Sequence, residues 1–194
     1  MHIPSLFIKR ALFVCTFLHF DCTIVMWITA DTHFGHNNVL KYCERPFSSV
    51  EEMDNELIAR WNAVVKPNDT IYHLGDFTLK KYADEYLDRL NGKILFIPGS
   101  HDYWLKKIDL NKYKGKLDIL PQLYSIKLFG KRVIMCHYPL ASWEASFYRS
   151  IHVHGHSHGK MEQIPNRFDV GVDCNDFFPI NFEQLIVRLS HQAG

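Results

Sequence analysis

Little in this chain favours one sign of charge: 22 lysines and arginines face 21 aspartates and glutamates, a formal net charge of +1. That balance argues against a strong polyanion-binding surface, so stable nucleic-acid binding is not expected. Cysteines number five (Cys15, Cys22, Cys43, Cys136 and Cys174), and no two form a C-x-x-C pair. An odd, unpaired set argues against a disulfide framework or a zinc knuckle and fits reduced thiols in the cytoplasm. Internal repeats, low-complexity tracts and linkers are also missing. The longest apolar run, Leu6 to Phe20, is closed by Asp21 short of the ~20 residues that span a bilayer, so no membrane partner is expected.

That run still needs a reading. Lys9-Arg10 ahead of Ala11 to Leu18 resembles a secretory signal or anchor, although no A-x-A-like cleavage site follows. Residues 1–25 are read as an extension outside the fold or the product of an upstream start codon, with Met26 opening the first strand. Export or anchoring through residues 6–20 is the minor alternative to a cytoplasmic protein. Residues 26–194 make one domain, long enough to bury a substantial core.

Short apolar runs alternate with amphipathic stretches, which predicts an α/β fold. Strands are expected at Ile24–Ala30, Thr70–Leu74 and Lys93–Pro98, with helices at Val50–Val65 and Tyr82–Leu90, the second closed by Asn91-Gly92. The second half changes to a hairpin, Leu123–Leu128 and Arg132–Cys136 about Phe129-Gly130-Lys131. Strands Ile151–Gly155 and Phe168–Val172 follow, then a helix Phe182–Leu189 with Asn181 as N-cap. Two packed sheets with helices outside, a four-layer αββα sandwich, are expected.

Five polar blocks sit where strands should end: Asp31-Thr32-His33, Gly75-Asp76, Gly99-Ser100-His101-Asp102, His137 and Gly155-His156-Ser157-His158. Aspartate oxygens and neutral imidazoles are ligands for borderline divalent cations. Sites in open α/β sheets gather beyond the carboxyl ends of strands, so separated blocks can converge there. A carboxylate can bridge two cations, and Asp76 is the best candidate for that position. Asp31, His33 and one C-terminal histidine are then expected on one cation and further histidines on the other. His36, Asn37, Asn38 and Arg45 follow the first block and are candidates for substrate contacts, or for capping and surface salt bridges. His73 reads as a core histidine, His152 and His154 as packing residues, Asp173 as a site or loop-capping residue, and Tyr103 and Trp104 as core or as an apolar wall.

In order and context these blocks resemble the signature of the calcineurin-like metallophosphoesterases: D-x-H, G-D, G-N-H-[DE], H and G-H-x-H. The likeness runs from Met26 to the C-terminus. Asp31-Thr32-His33-Phe34-Gly35-His36 and Gly171-Val172-Asp173 point to the small bacterial or phage-type members. It implies that Asp31, His33, Asp76 and His158 hold a first metal and that Asp76, His137 and His156 hold a second. His101 would be the general acid, oriented by Asp102 through an imidazole–carboxylate hydrogen bond. Two divalent ions, with manganese leading over iron, zinc, nickel or cobalt, would support attack of a metal-bound hydroxide on a phosphodiester or phosphomonoester. The expected partner is a small phosphoester, nucleotides included. Ser100 departs from the signature, which places an amide ligand of the second metal there, and predicts a looser second site. A non-catalytic scaffold with a decayed site is the alternative reading.

Overall fold

The computed structural model describes residues 25–192; the extension expected at the N-terminus lies, apart from Val25, outside the described residues. Among the described residues nine strands form two mixed sheets. The first has the order β4-β3-β2-β1-β9, with β1 (Met26–Thr29), β2 (Thr70–His73), β3 (Lys93–Phe96) and β4 (Leu117–Ile119) parallel. β9 (Ile180–Asn181) lies antiparallel on β1. The second has the order β5-β6-β7-β8. Its hairpin of β5 (Leu123–Leu128) and β6 (Lys131–Cys136) is extended in parallel by β7 (Ile151–His154) and β8 (Arg167–Asp169). This is the expected α/β sandwich of two sheets.

Strand alternation divides the core in two. Ile28, Ala30, Tyr72 and Leu74 point between the sheets and meet Val133, Met135, Ile151 and Val153. Trp27, Ile71, Ile94 and Phe96 point the other way, onto α2 (Val50–Val64), whose Met53, Leu57, Ile58 and Trp61 form its buried stripe. Burying such a side chain stabilises the fold by about 1.5–3 kcal/mol. Ser49 starts α2 by accepting the Glu52 N–H at 3.1 Å. α4 (Phe182–Gln192) is capped as predicted, Asn181 Oδ1 accepting the Gln184 N–H at 3.0 Å, and packs Phe182, Leu185 and Ile186 into the inter-sheet core. Two further single-turn helices are α1 (Val39–Tyr42) and α3 (Asp84–Leu87).

Tertiary bonds shortened two expected elements. The helix expected over Tyr82–Leu90 closes after one turn, α3, because Asn91 is captured by α2. Its N–H reaches Asn62 Oδ1 at 2.8 Å and its carbonyl accepts Trp61 Nε1 at 3.0 Å. The strand expected over Phe168–Val172 ends at Asp169, where the chain crosses to the other sheet: Val172 N–H donates to the Ala30 carbonyl at 3.1 Å. That crossing brings the carboxyl ends of both sheets together. No described helix is long and apolar enough to cross a membrane.

Candidate metal centre

All five blocks meet at those carboxyl ends. The turns after β1 and β2 are stitched to each other, Asp31 N–H to the Gly75 carbonyl and His33 N–H to the Asp76 carbonyl, both at 3.0 Å. Asp31, His33, Asp76, His156 and His158 all have left-handed backbones, with φ of 58°, 50°, 55°, 67° and 47°. Each such residue is strained and persists only where its surroundings over-determine it, a pattern concentrated at functional sites. Glycine provides the room: a Cβ on Gly99 would stand 2.5 Å from Asp76 Oδ1, and one on Gly155 2.5 Å from Asp31 Oδ2.

Three candidate ligand groups result among the described residues, each with its donor atoms within 4.8 Å of one another: Asp31–His33–His158, Asp76–His137–His156, and Cys43–His158–Asp173, which shares His158 with the first. Asp76 lies between the first two, its Oδ2 3.8 Å from His33 Nε2 and 3.4 Å from His137 Nε2. Burial works against the charge on Asp76, but His137 and the His101 N–H, bonded at 2.8 Å, hold it below the usual carboxylate range. Burial dominates at Asp31 and pushes its carboxyl up to about 7 against the pull of His137 and His158. It also depresses His33 to about 3, which keeps that imidazole neutral and able to ligate. Burial opposes protonation of His158 too, yet Asp173 and Cys43 raise it to about 10.

The His137 ring shows that the donor set suits a cation. Its Nδ1 donates to the Leu74 carbonyl at 2.7 Å, so Nε2 carries a lone pair when the ring is neutral, while, against burial, Asp76 and Asp31 raise the ring's affinity for a proton at that atom. That atom is buried, has no hydrogen-bond partner and faces the Asp76 carboxylate. Two acceptors at that distance repel unless a proton or a cation sits between them. His33 Nδ1 is also buried without a partner.

Next to the first group lies a cleft of about 440 Å³, lined by His33, His36, Tyr42, His101, His158 and Lys160 among others. His101 is exposed there, its ring centroid 6.0 Å from that of His33. Of the candidates after the first block, His36 and Asn38 line the cleft, whereas Asn37 is exposed outside it.

Two expectations are corrected. The Asp102 carboxylate does not orient the His101 ring. It accepts backbone N–H groups of Asp76 (2.8 Å), Phe77 (2.9 Å) and Gly99 (2.7 Å), and Trp104 Nε1 at 2.9 Å, which fills both oxygens. Arg45 is not a substrate contact, for it is only 4% exposed and its guanidinium is tied to Asp31, Thr32 and Asp173. Ser100 donates its hydroxyl to Asp76 Oδ2 at 3.0 Å and Oδ1 at 3.2 Å. Asp173 bonds His158 Nδ1 at 2.7 Å, which decides between its two readings. His73 and Trp104 are core residues, and Tyr103 is 66% exposed. Spacing offered no signal for Tyr42, Cys43 or Lys160, which enter the cleft only through the placement of α1 and the loop after His158.

Comparison with known proteins agrees with this geometry. The profile of the calcineurin-like phosphoesterases matches residues 24–170. An uncharacterized protein of Methanocaldococcus jannaschii is 35% identical over 175 residues, covering 84% of this chain and 90% of its own length. The gene 66 protein of Mycobacterium phage L5 is 26% identical over 180 residues, covering 76% of this chain and 86% of its own. A solved structure, a protein of unknown function from Aquifex aeolicus, superposes with a TM-score of 0.63 at 25% identity, over 86% of this chain and 99% of that one. With the profile spanning most of its length and aspartate–histidine groups able to hold metal at its strand ends, this chain belongs to the calcineurin-like phosphoesterase family, as a metal-dependent hydrolase of phosphoric esters.

Proposed function

We propose that the chain hydrolyses small phosphodiesters, and phosphomonoesters less well, at a centre for two divalent cations bridged by Asp76. The observation that carries this is the place of Asp76 Oδ2, 3.8 Å from a ring nitrogen of one ligand group and 3.4 Å from an orphaned one of the other. Asp31, His33, Asp76 and His158 would hold the first cation, and Asp76, His137 and His156 the second. When bound, such a pair neutralises charge on the phosphate and acidifies water.

The protein's own groups do the rest. His101, exposed at the cleft, gives a proton to the leaving oxygen. The buried His33, kept neutral, and the paired His158 hold the inner wall of the cleft. Diesters lead because a monoester adds negative charge, and among the described residues Lys160 is the one lysine or arginine lining the cleft. The Tyr42 ring, 66% exposed and lining the same cleft, gives a nucleotide base a surface to stack on. Manganese is the leading cation, since the mixed carboxylate and imidazole donors accept it.

The test is hydrolysis of bis-p-nitrophenyl phosphate and p-nitrophenyl phosphate by metal-stripped protein, with and without added manganese. Manganese-dependent turnover favouring the diester, and lost in Asp76→Asn, is the expected result. Turnover that persists without metal, or survives Asp76→Asn, would reject the bridged centre.

A further inference from the structure

Arg45 offers a consequence for assembly of the centre. A guanidinium has five N–H donors, and burying it is costly unless all find acceptors. Here all five do. Nε donates to Asp173 Oδ1 at 2.8 Å. Nη2 donates to Asp173 Oδ2 at 2.8 Å and to the Asp31 carbonyl at 2.7 Å. Nη1 donates to the Thr32 carbonyl at 2.9 Å and to Met53 Sδ at 3.3 Å.

Both ends of this array lead to the same ligand group. On one side Asp173 Oδ2 also bonds His158 Nδ1, at 2.7 Å. On the other, the two carbonyls belong to the turn that carries Asp31 and His33, both left-handed. Those segments lie far apart in sequence and leave different sheets, and such strained turns need outside bonds to hold them.

We propose that Arg45 is a positioning residue that assembles the first metal-ligand group, fixing the Asp31–His33 turn through its carbonyls and the His158 ring through Asp173. This rests on the assignment of Asp31, His33 and His158 to one cation. The bidentate geometry explains why the residue is arginine, since a lysine ammonium cannot span a carboxylate and two carbonyls in one plane.

The experiment is calorimetric titration of manganese into the metal-stripped full chain, alongside the thermal midpoint of the same metal-free samples. His158→Ala identifies the binding event of the first group, and His156→Ala that of the second. Arg45→Lys is expected to weaken the first event about 10- to 100-fold and to leave the second within about threefold, as loss of an outer partner does elsewhere. Free guanidinium added to Arg45→Ala should restore part of that affinity. Should either arginine variant fail to fold, Asp173→Asn, which leaves the carbonyl bonds in place, is expected to weaken the same event. Equal weakening of both events with a matching fall in the metal-free midpoint would make Arg45 purely structural and overturn the proposal, as would unchanged affinity for both. If His158→Ala itself leaves both events intact, the ligand assignment fails first, and that outcome is read independently of any Arg45 variant.

Discussion

The Asp102 carboxylate grips the backbone of Asp76, accepting its N–H at 2.8 Å on the same oxygen that takes the Gly99 N–H at 2.7 Å. Its other oxygen takes Phe77 N–H and Trp104 Nε1, so the side chain acts as a hub beneath the left-handed Asp76. Asp102→Asn turns an amide N–H₂ toward one pair of these donors and leaves them unpaired. Each buried unpaired donor costs about 1–3 kcal/mol. The expected outcome is a lower thermal midpoint and weaker manganese binding, with the pH dependence of turnover unmoved. A displaced acidic or basic limb in the pH–rate profile would return Asp102 to the role of a partner for His101.

His137 makes the centre testable without any substrate. A cation at one hundred times its dissociation constant adds about 2.7 kcal/mol of stability. For a domain of this size that raises the melting midpoint by roughly 5–10 °C. Manganese should give this shift in the natural chain and a much smaller one in His137→Ala, read by differential scanning fluorimetry. An equal shift in both would remove His137 from the ligand set.

For His101 the discriminating variable is the leaving group. A proton delivered to the departing oxygen matters for a poor leaving group and little for p-nitrophenolate, which departs unaided. His101→Asn is therefore expected to lower kcat about 10²- to 10⁴-fold on an alkyl diester, with a far smaller loss on bis-p-nitrophenyl phosphate. Manganese affinity should hold. Uniform losses on both substrates would point to binding instead of proton transfer.

Ser100 spends its hydroxyl on both oxygens of Asp76 and brings no amide oxygen to the second ligand group. Ser100→Asn should tighten the weaker of two manganese-binding events about tenfold, in line with the worth of one neighbouring polar partner. Titration calorimetry of the metal-stripped protein reads this directly, and an unchanged or weaker second event counts against a missing ligand.

His152 governs part of the acid sensitivity. Its Nδ1 donates to the Ile134 carbonyl at 3.0 Å and its Nε2 accepts the Leu140 N–H at 3.1 Å, which suits the neutral ring, while the Tyr138 carbonyl 3.3 Å from Nε2 pulls weakly toward the protonated one. Burial depresses it from 6.5 to about 4, so the unfolded chain takes up this proton first as pH falls. The stability is whole above pH 6.5 and is lost as pH drops through about 4, a contribution of roughly 3 kcal/mol at most. Urea unfolding of metal-stripped protein across that window should show a shallower pH dependence for His152→Gln than for the natural chain. Parallel curves would place the acid sensitivity elsewhere, His73 being the next buried imidazole, depressed to about 3.

What the sequence determined by itself was the kind of fold and the set of polar blocks at its strand ends. Alternating apolar runs with polar blocks at their ends prescribe strands that deliver ligands, and most core strands fall within a residue or two of their expected limits. Asn181 as a cap and Phe129-Gly130 as a hairpin turn were legible because both are local chemistry: a side-chain acceptor three residues before an N–H, and two left-handed residues in a row. Only the tertiary structure decided how those blocks are wired. Arg45 and Asp173 stand 128 residues apart, and nothing local distinguishes a phosphate-binding arginine from one buried against a carboxylate. Asp102 follows His101 directly, yet its oxygens face away, toward N–H groups of turns 25 and 26 residues earlier. Hydrogen bonds made across the fold depend on which backbone groups the packed sheets leave unpaired, and that is settled only once both sheets are in place.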